Sequence, residues 1–193
     1  MNEFLEILGS SALFATAVRL ALPIFFAALG EVFAERAGLV NVGLEGMMLM
    51  GAFAAVVGAH VTGNPWLGAI IGMLAGMGVA AIQAGVAINL SGDQIVAGIA
   101  LNLAVLGITS FLARALWEGG DVPKVNGFEP FDLPILSSLP GLGPILFEQS
   151  VLIYVAIGAA FASWWLLTRT SWGLRLRACG EDPRSADSLG ISV

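Results

Sequence analysis

A single lysine (Lys124), a single histidine (His60) and a single cysteine (Cys179) stand in a chain of 193 residues. One cysteine closes no disulfide framework. One histidine and one cysteine in different segments make neither a zinc site nor a nucleophile–base pair. The lysine follows no glycine-rich loop, so the chain contains no GxxxxGK[ST] phosphate cradle. A net charge of −6 with only eight basic residues argues against nucleic acid, whose phosphates need clustered Lys and Arg. Hydrolytic chemistry, metal sites and cofactors find almost nothing to work with. Charge of either sign is also scarce: 11% of residues are charged, against about 25% in soluble domains. A chain that is 58% hydrophobic cannot cover a water-facing surface with so few charges, so most of it faces lipid or other apolar protein.

What is abundant is long apolar stretches. About 20 mostly apolar residues span a bilayer as a helix, and five segments meet that length. They are 11–30, interrupted by Arg19, then Gly43 to His60, Pro65 to Leu90, Ile95 to Ala113, and Val151 to Leu167. The start, "MNEFLEILGS", carries Glu3 and Glu6 where a secretory signal would be basic, so the first span is expected to stay in the membrane. Residues 114–149 hold Pro123, Pro130, Pro134, Pro140 and Pro144 among polar residues and read as an extracytoplasmic loop. Four of the eight basic residues (Arg169, Arg175, Arg177 and Arg184) follow the fifth span, which places that side in the cytoplasm. Counting back puts "EVFAERAGLVN" inside and the acidic N-terminus outside. Tyr154, Trp164 and Trp165 mark the ends of the fifth span, while Trp66 and Trp117 flank the third and fourth, as interfacial anchors do. Arg19 is expected to snorkel to the outer interface, and His60 to be a polar loop residue.

The third span repeats a small residue every fourth position, at Gly68, Gly72, Gly76, Ala80 and Ala84. That spacing lays a smooth stripe along one face and predicts close helix packing. A glycine-rich contact that slides during transport is the sharper alternative. Polar residues at membrane depth are costly and tend to mark pathways. Asn102 lies mid-way in the fourth span, Asn41 and Glu45 stand in "NVGLEGMMLM", Gln83 and Asn89 come late in the third, and Asp93 and Gln94 open the fourth. An interhelical hydrogen bond or a cap competes with a pathway role at each, and Asp93 is a good N-cap type. The several buried carboxylates or histidine chain of an ion-driven carrier are missing.

The closing segment, "TRTSWGLRLRACGEDPRSADSLGISV", pairs Trp172 with Leu176 and Leu174 with Ala178 at helical spacing. Gly180 suits the C′ stop of that helix. Asp182 followed by Pro183 reads as N-cap and N1 of a second short helix through Leu189, ended by Gly190. Basic side chains beside a span explain the arginines but not a helix, a break and another helix. Such a structure suits docking a partner.

"ERAGLVNVGLEGMMLMGAFAAV" (35–56) and "SWGLRLRACGEDPRSADSLGI" (171–191) together resemble the inner-membrane permease subunit of ABC importers. The similarity is to the branched-chain amino acid and ribose permease family, with "NVGLEGMM" pointing to its nucleoside or simple-sugar branch. The resemblance runs from about residue 20 to the end. It implies an all-α, polytopic protein of a prokaryotic inner membrane, with residues 1–193 as one transmembrane permease domain and 171–191 as its cytoplasmic coupling segment. It also implies a passive pathway for a small solute, formed with a second permease subunit in the lipid bilayer. A cytoplasmic ABC ATPase subunit would drive it, and an extracytoplasmic solute-binding protein or lipoprotein would deliver the solute. Carried over residue by residue, the ATPase-coupling positions are Gly180, Glu181, Pro183, Arg184, Ala186, Asp187 and Gly190. Asn41, Glu45 and Asn102 are the pathway candidates. Family permeases continue past the coupling segment with further helices, so a fragment, and an incomplete permease fold, is expected.

The leading expectation is the permease of an ATP-driven importer for nucleosides or related solutes, itself without enzymatic activity. The same architecture carrying branched-chain amino acids, an ion-coupled secondary carrier, and a membrane scaffold that transports nothing are the alternatives.

Overall fold

Long apolar runs bounded by capping residues become long helices, and the computed structural model, which describes residues 11–117, 124–125, 127–128 and 150–191, places them in order. Five are long and apolar enough to cross a membrane. They are α1 (Ser11–Arg36), α2 (Leu44–Thr62), α3 (Pro65–Ala84), α4 (Gln94–Leu116) and α5 (Val151–Arg169), followed by two short helices, α6 (Ser171–Glu181) and α7 (Pro183–Ser188). Even α2, with 19 residues, extends about 28 Å at 1.5 Å per residue, close to the thickness of the hydrocarbon layer. The protein is an all-α polytopic membrane protein.

Local chemistry sets the boundaries. Asn64 caps α3 through Trp66 N–H, with Pro65 at the first helical position. Asp93 caps α4 by accepting from the backbone N–H groups of Ile95 and Val96 at 2.8 and 3.0 Å, as expected. Ser150 caps α5 through Leu152 N–H. Four boundaries differ from the sequence reading. Helix α1 runs on to Arg36, because residues 31–36 contain no breaker, so Glu31, Glu35 and Arg36 are helical rather than part of a connection. His60 lies in the last turn of α2, not in a loop, since the stop comes at Gly63, whose φ is +66°. The third span is not one α-helix to Leu90: a π-helical turn over Gly85–Asn89 follows α3. Helix α4 continues through Leu116, which makes Arg114 helical. Most of the expected loop, and residues 1–10, lie outside the described residues.

The chain forms two compact units. One takes residues up to Gly30 and 128–174, hence most of α1, all of α5 and the start of α6. At the α5–α6 junction, Thr170 Oγ1 donates to the Leu166 carbonyl (2.5 Å) and accepts from Gly173 N–H (3.1 Å). Gly173 is buried there, with no room for a Cβ beside the backbone of Leu166 and Leu167. The Arg169 guanidinium lies 5.9 Å from the Trp164 ring, a cation–π contact.

The other unit takes residues 31–127 and 175–193. Its centre is the antiparallel pair α2 and α3, where the stripe of small residues packs as helix packing requires. A Cβ added to Gly72 would lie 2.6 Å from the Gly51 carbonyl oxygen and 2.8 Å from Ala55 Cβ. At Gly68 it would lie 2.7 Å from the Ala55 carbonyl oxygen, and at Gly76 3.4 Å from that of Met47. Small residues on both helices let the backbones touch, the mode of association available where lipid removes the hydrophobic drive. The outer faces remain apolar and exposed, as at Met73 (63%) and Phe111 (69%).

Candidate functional site

Between α1 and α2 the chain leaves helical geometry for residues 37–43, and backbone groups there need partners from elsewhere. Helix α1 closes in a Schellman motif: Gly38, at φ +81°, donates to the Glu35 carbonyl (3.0 Å) and Leu39 N–H to that of Ala34 (2.9 Å). Beyond it, side chains take over. Val40 N–H donates to Gln94 Oε1 at 2.7 Å. Asn41 N–H donates to Glu31 Oε1 at 3.3 Å. The carboxamide of Asn102 bridges the break: Nδ2 donates to the Val42 carbonyl (2.9 Å), and Oδ1 accepts from Gly46 N–H (2.7 Å) in the first turn of α2. Glycines make this approach possible. A Cβ on Gly98 would meet Gly43 N at 2.7 Å, and one on Gly43 would collide with the carboxamide of Gln83, itself buried.

The pathway candidates therefore divide. Asn102 and Asn41 meet the same connection, with Asn102 committed to backbone groups. Asn41 sends Nδ2 to Met47 Sδ (3.7 Å), and its Oδ1 is buried without a hydrogen-bond partner. Glu31 Oε2 and Gln83 Oε1 share that condition. Asn41, Gln83 and Gln94 border an otherwise apolar pocket of about 190 Å³, which Ala34, Met47 and Ala80 also line. Glu45 stands exposed in the first turn of α2, where the helix dipole favours its charge. No group of three His, Cys, Asp or Glu residues suited to a metal occurs among the described residues.

The coupling candidates sit on the terminal helix pair. Glu181, Pro183, Arg184, Asp187 and Gly190 are exposed, whereas Ala186 is buried, at 2% exposure. Asp182 caps α7 as expected, accepting from Arg184 N–H (3.1 Å), Ser185 N–H (3.2 Å) and the Ser185 hydroxyl (2.5 Å). The Ser185 hydroxyl first, and then the backbone N–H groups, hold its carboxyl below the ordinary 3.8. Gly190, at φ +78°, ends α7: its N–H donates to the Asp187 carbonyl, and Ile191 N–H to that of Ala186.

Gly180 is not the helix stop that its position suggests. Helix α6 continues through Glu181, and Asp182 N–H still donates to the Ala178 carbonyl at 3.1 Å. The glycine is needed for approach instead. A Cβ on Gly180 would run into the Arg36 carbonyl oxygen and lie 2.9 Å from Gly38 N, and one on Gly38 would lie 3.1 Å from Gly180 Cα. The end of α6 thus rests, backbone on backbone, against the start of the α1–α2 connection. Gln83 and Gln94 show in the sequence as polar residues at membrane depth. Glu31, Gly38 and Gly98 give no such signal.

Comparison with known proteins agrees with this architecture. The model of the family described as branched-chain amino acid transport system, permease component, matches residues 13–193. A guanosine ABC transporter permease protein of Bacillus subtilis is 40% identical over 183 residues, covering 90% of this chain and 57% of its own length. A nucleoside ABC transporter permease protein of Lactococcus lactis subsp. cremoris is 39% identical over 178 residues, covering 89% and 56%. A Haloferax volcanii protein with glucose in its name is 37% identical over 188 residues, covering 95% and 56%. The chain thus spans a little over half the length of these relatives. No solved structure matches. With the family model matching nearly the whole chain, and with the spans and the terminal helix pair in place, the chain belongs to the family of branched-chain amino acid transport system permease components.

Proposed function

We propose that the chain forms part of the membrane pathway of an ATP-driven importer for nucleosides or closely related solutes. The observation that carries this reading is the α6–α7 pair. It presents Glu181, Arg184 and Asp187 outward and rests on the membrane helices through Gly180. That is the form of a handle for a separate motor. In this reading residues 171–191 face the cytoplasm and dock an ATPase subunit, which alone hydrolyses ATP. Residues 117–150 face outward, where a solute-binding protein or lipoprotein delivers the solute, and a second permease subunit completes the pathway. The names of the Bacillus and Lactococcus relatives support a nucleoside. The Haloferax name keeps a sugar in view, and the family's own description keeps a branched-chain amino acid.

Uptake of labelled guanosine, glucose and leucine, with and without the intact gene in its native host, tests the solute. Guanosine uptake is expected to fall on deletion while the other two hold. A fall confined to leucine or to glucose would replace the nucleoside with that solute.

A further inference from the structure

We infer that the α1–α2 connection is the part of the membrane region that receives movement of the terminal helix pair, and that Asn102 is the positioning residue that passes it to α4. The inference rests on the function proposed above and names its internal contact. Three observations carry it. First, Gly180 and Gly38 meet without side chains, so no flexible atoms lie between the end of α6 and the connection to absorb a displacement. Second, α4 grips the same connection at several points: Gln94 at Val40 N–H, Asn102 at the Val42 carbonyl and Gly46 N–H, and Gly98 against Val42 and Gly43. Third, the Asn102 bonds straddle the start of α2, one on the connection at Val42 and one within the first helical turn at Gly46. The start of α2 and the middle of α4 are therefore tied as one body. Both the donor and the acceptor of this amide are committed to backbone, which suits a brace better than a solute contact.

The test uses the complete transporter, assembled with its ATPases and sister permease, in sealed vesicles. Solute moved per ATP hydrolysed is the readout, because a merely structural lesion lowers both quantities together. Asn102→Ala is expected to keep ATP hydrolysis and ATPase association while lowering the transport ratio by at least about fivefold, the range of ordinary inter-site coupling. Gly180→Ala, at a coupling position where ATPase association is itself expected to weaken, should lower the ratio likewise, measured per assembled complex. Because the two residues act in series, the double variant should be no worse than the more severe single one. A parallel loss of hydrolysis and uptake at unchanged ratio would overturn the inference, as would a double variant showing the product of the single losses. Where Asn102→Ala does not assemble, Asn102→Gln, which keeps an amide but displaces it, serves in the same comparison. A wild-type complex without ATP-driven uptake removes the proposed function and the inference together. A coupled wild type with a fully coupled Asn102→Ala removes the inference alone.

Discussion

Two regions of the same unit are held together by opposite means. The α2–α3 pair is dry along its glycine stripe: Gly68, Gly72 and Gly76 lie against the backbone of Met47, Gly51 and Ala55, with no polar side chain among their nearest atoms. The α1–α2 connection is held by amides, with Asn102 and Gln94 taking the place of helical hydrogen bonds. Close packing distributes its energy over many weak contacts and tolerates little change in volume. An amide brace concentrates it in a few directional bonds, which can break and re-form as a unit. The first region suits a scaffold, and the second suits a joint.

The largest effect should come from overfilling the dry contact. Gly72→Leu forces a branched side chain against the Gly51 carbonyl and should cost at least about 1–3 kcal/mol, read as a lower melting temperature and aggregation on extraction. A well-behaved, unchanged Gly72→Leu protein would mean that the helices are not packed in this way. Next comes the brace. Asn102→Leu leaves the Val42 carbonyl and Gly46 N–H without partners, at about 1–3 kcal/mol for a buried group left unsatisfied. Its signature should be faster hydrogen exchange at residues 42–46, with the α2–α3 contact intact; loss spread evenly over both regions would mean that the two are not held by separate means.

Smaller again is the Asp182 cap. Asp182→Ala should loosen α7 alone, seen as faster exchange at Arg184 and Ser185 amides. The carboxyl is held below its ordinary 3.8, so its contribution is fully present at neutral pH. It fades only as pH falls below that value. Protection lost near neutral pH would contradict the cap. Smallest should be Gly78→Ala: an added Cβ there meets nothing within 4 Å. Removing a glycine from a helix interior should then stabilise by about 0.5–1 kcal/mol, visible as a slightly higher melting temperature.

The difference between the two regions also explains what the sequence reveals. The dry contact is written in a period of four within one helix, so Gly68, Gly72 and Gly76 predict close packing directly, and its partner is the helix just before it. The brace joins Asn102 to groups 56 and 60 positions away. Sequence marks Asn102 and Asn41 as polar at membrane depth but cannot tell a pathway residue from a backbone clamp. Gly180 teaches the same lesson from the other side. Before Glu-Asp-Pro a glycine reads as a helix stop, whereas here it allows one backbone to rest on another, a reason that lies wholly in Arg36 and Gly38. Glu31 gave no warning because one carboxylate near a helix end looks like any interfacial charge. The Asp182–Pro183 restart was legible because cap and partner are two or three residues apart.

The central claim is that a separate motor drives solute through these helices. Its most direct test is guanosine uptake into vesicles that carry the complete transporter, with ATP supplied on the side of the terminal helix pair. The account predicts accumulation against a gradient that stops when ATP is replaced by a non-hydrolysable analogue and is indifferent to ionophores. Accumulation that persists without ATP and collapses with an ion gradient would contradict it.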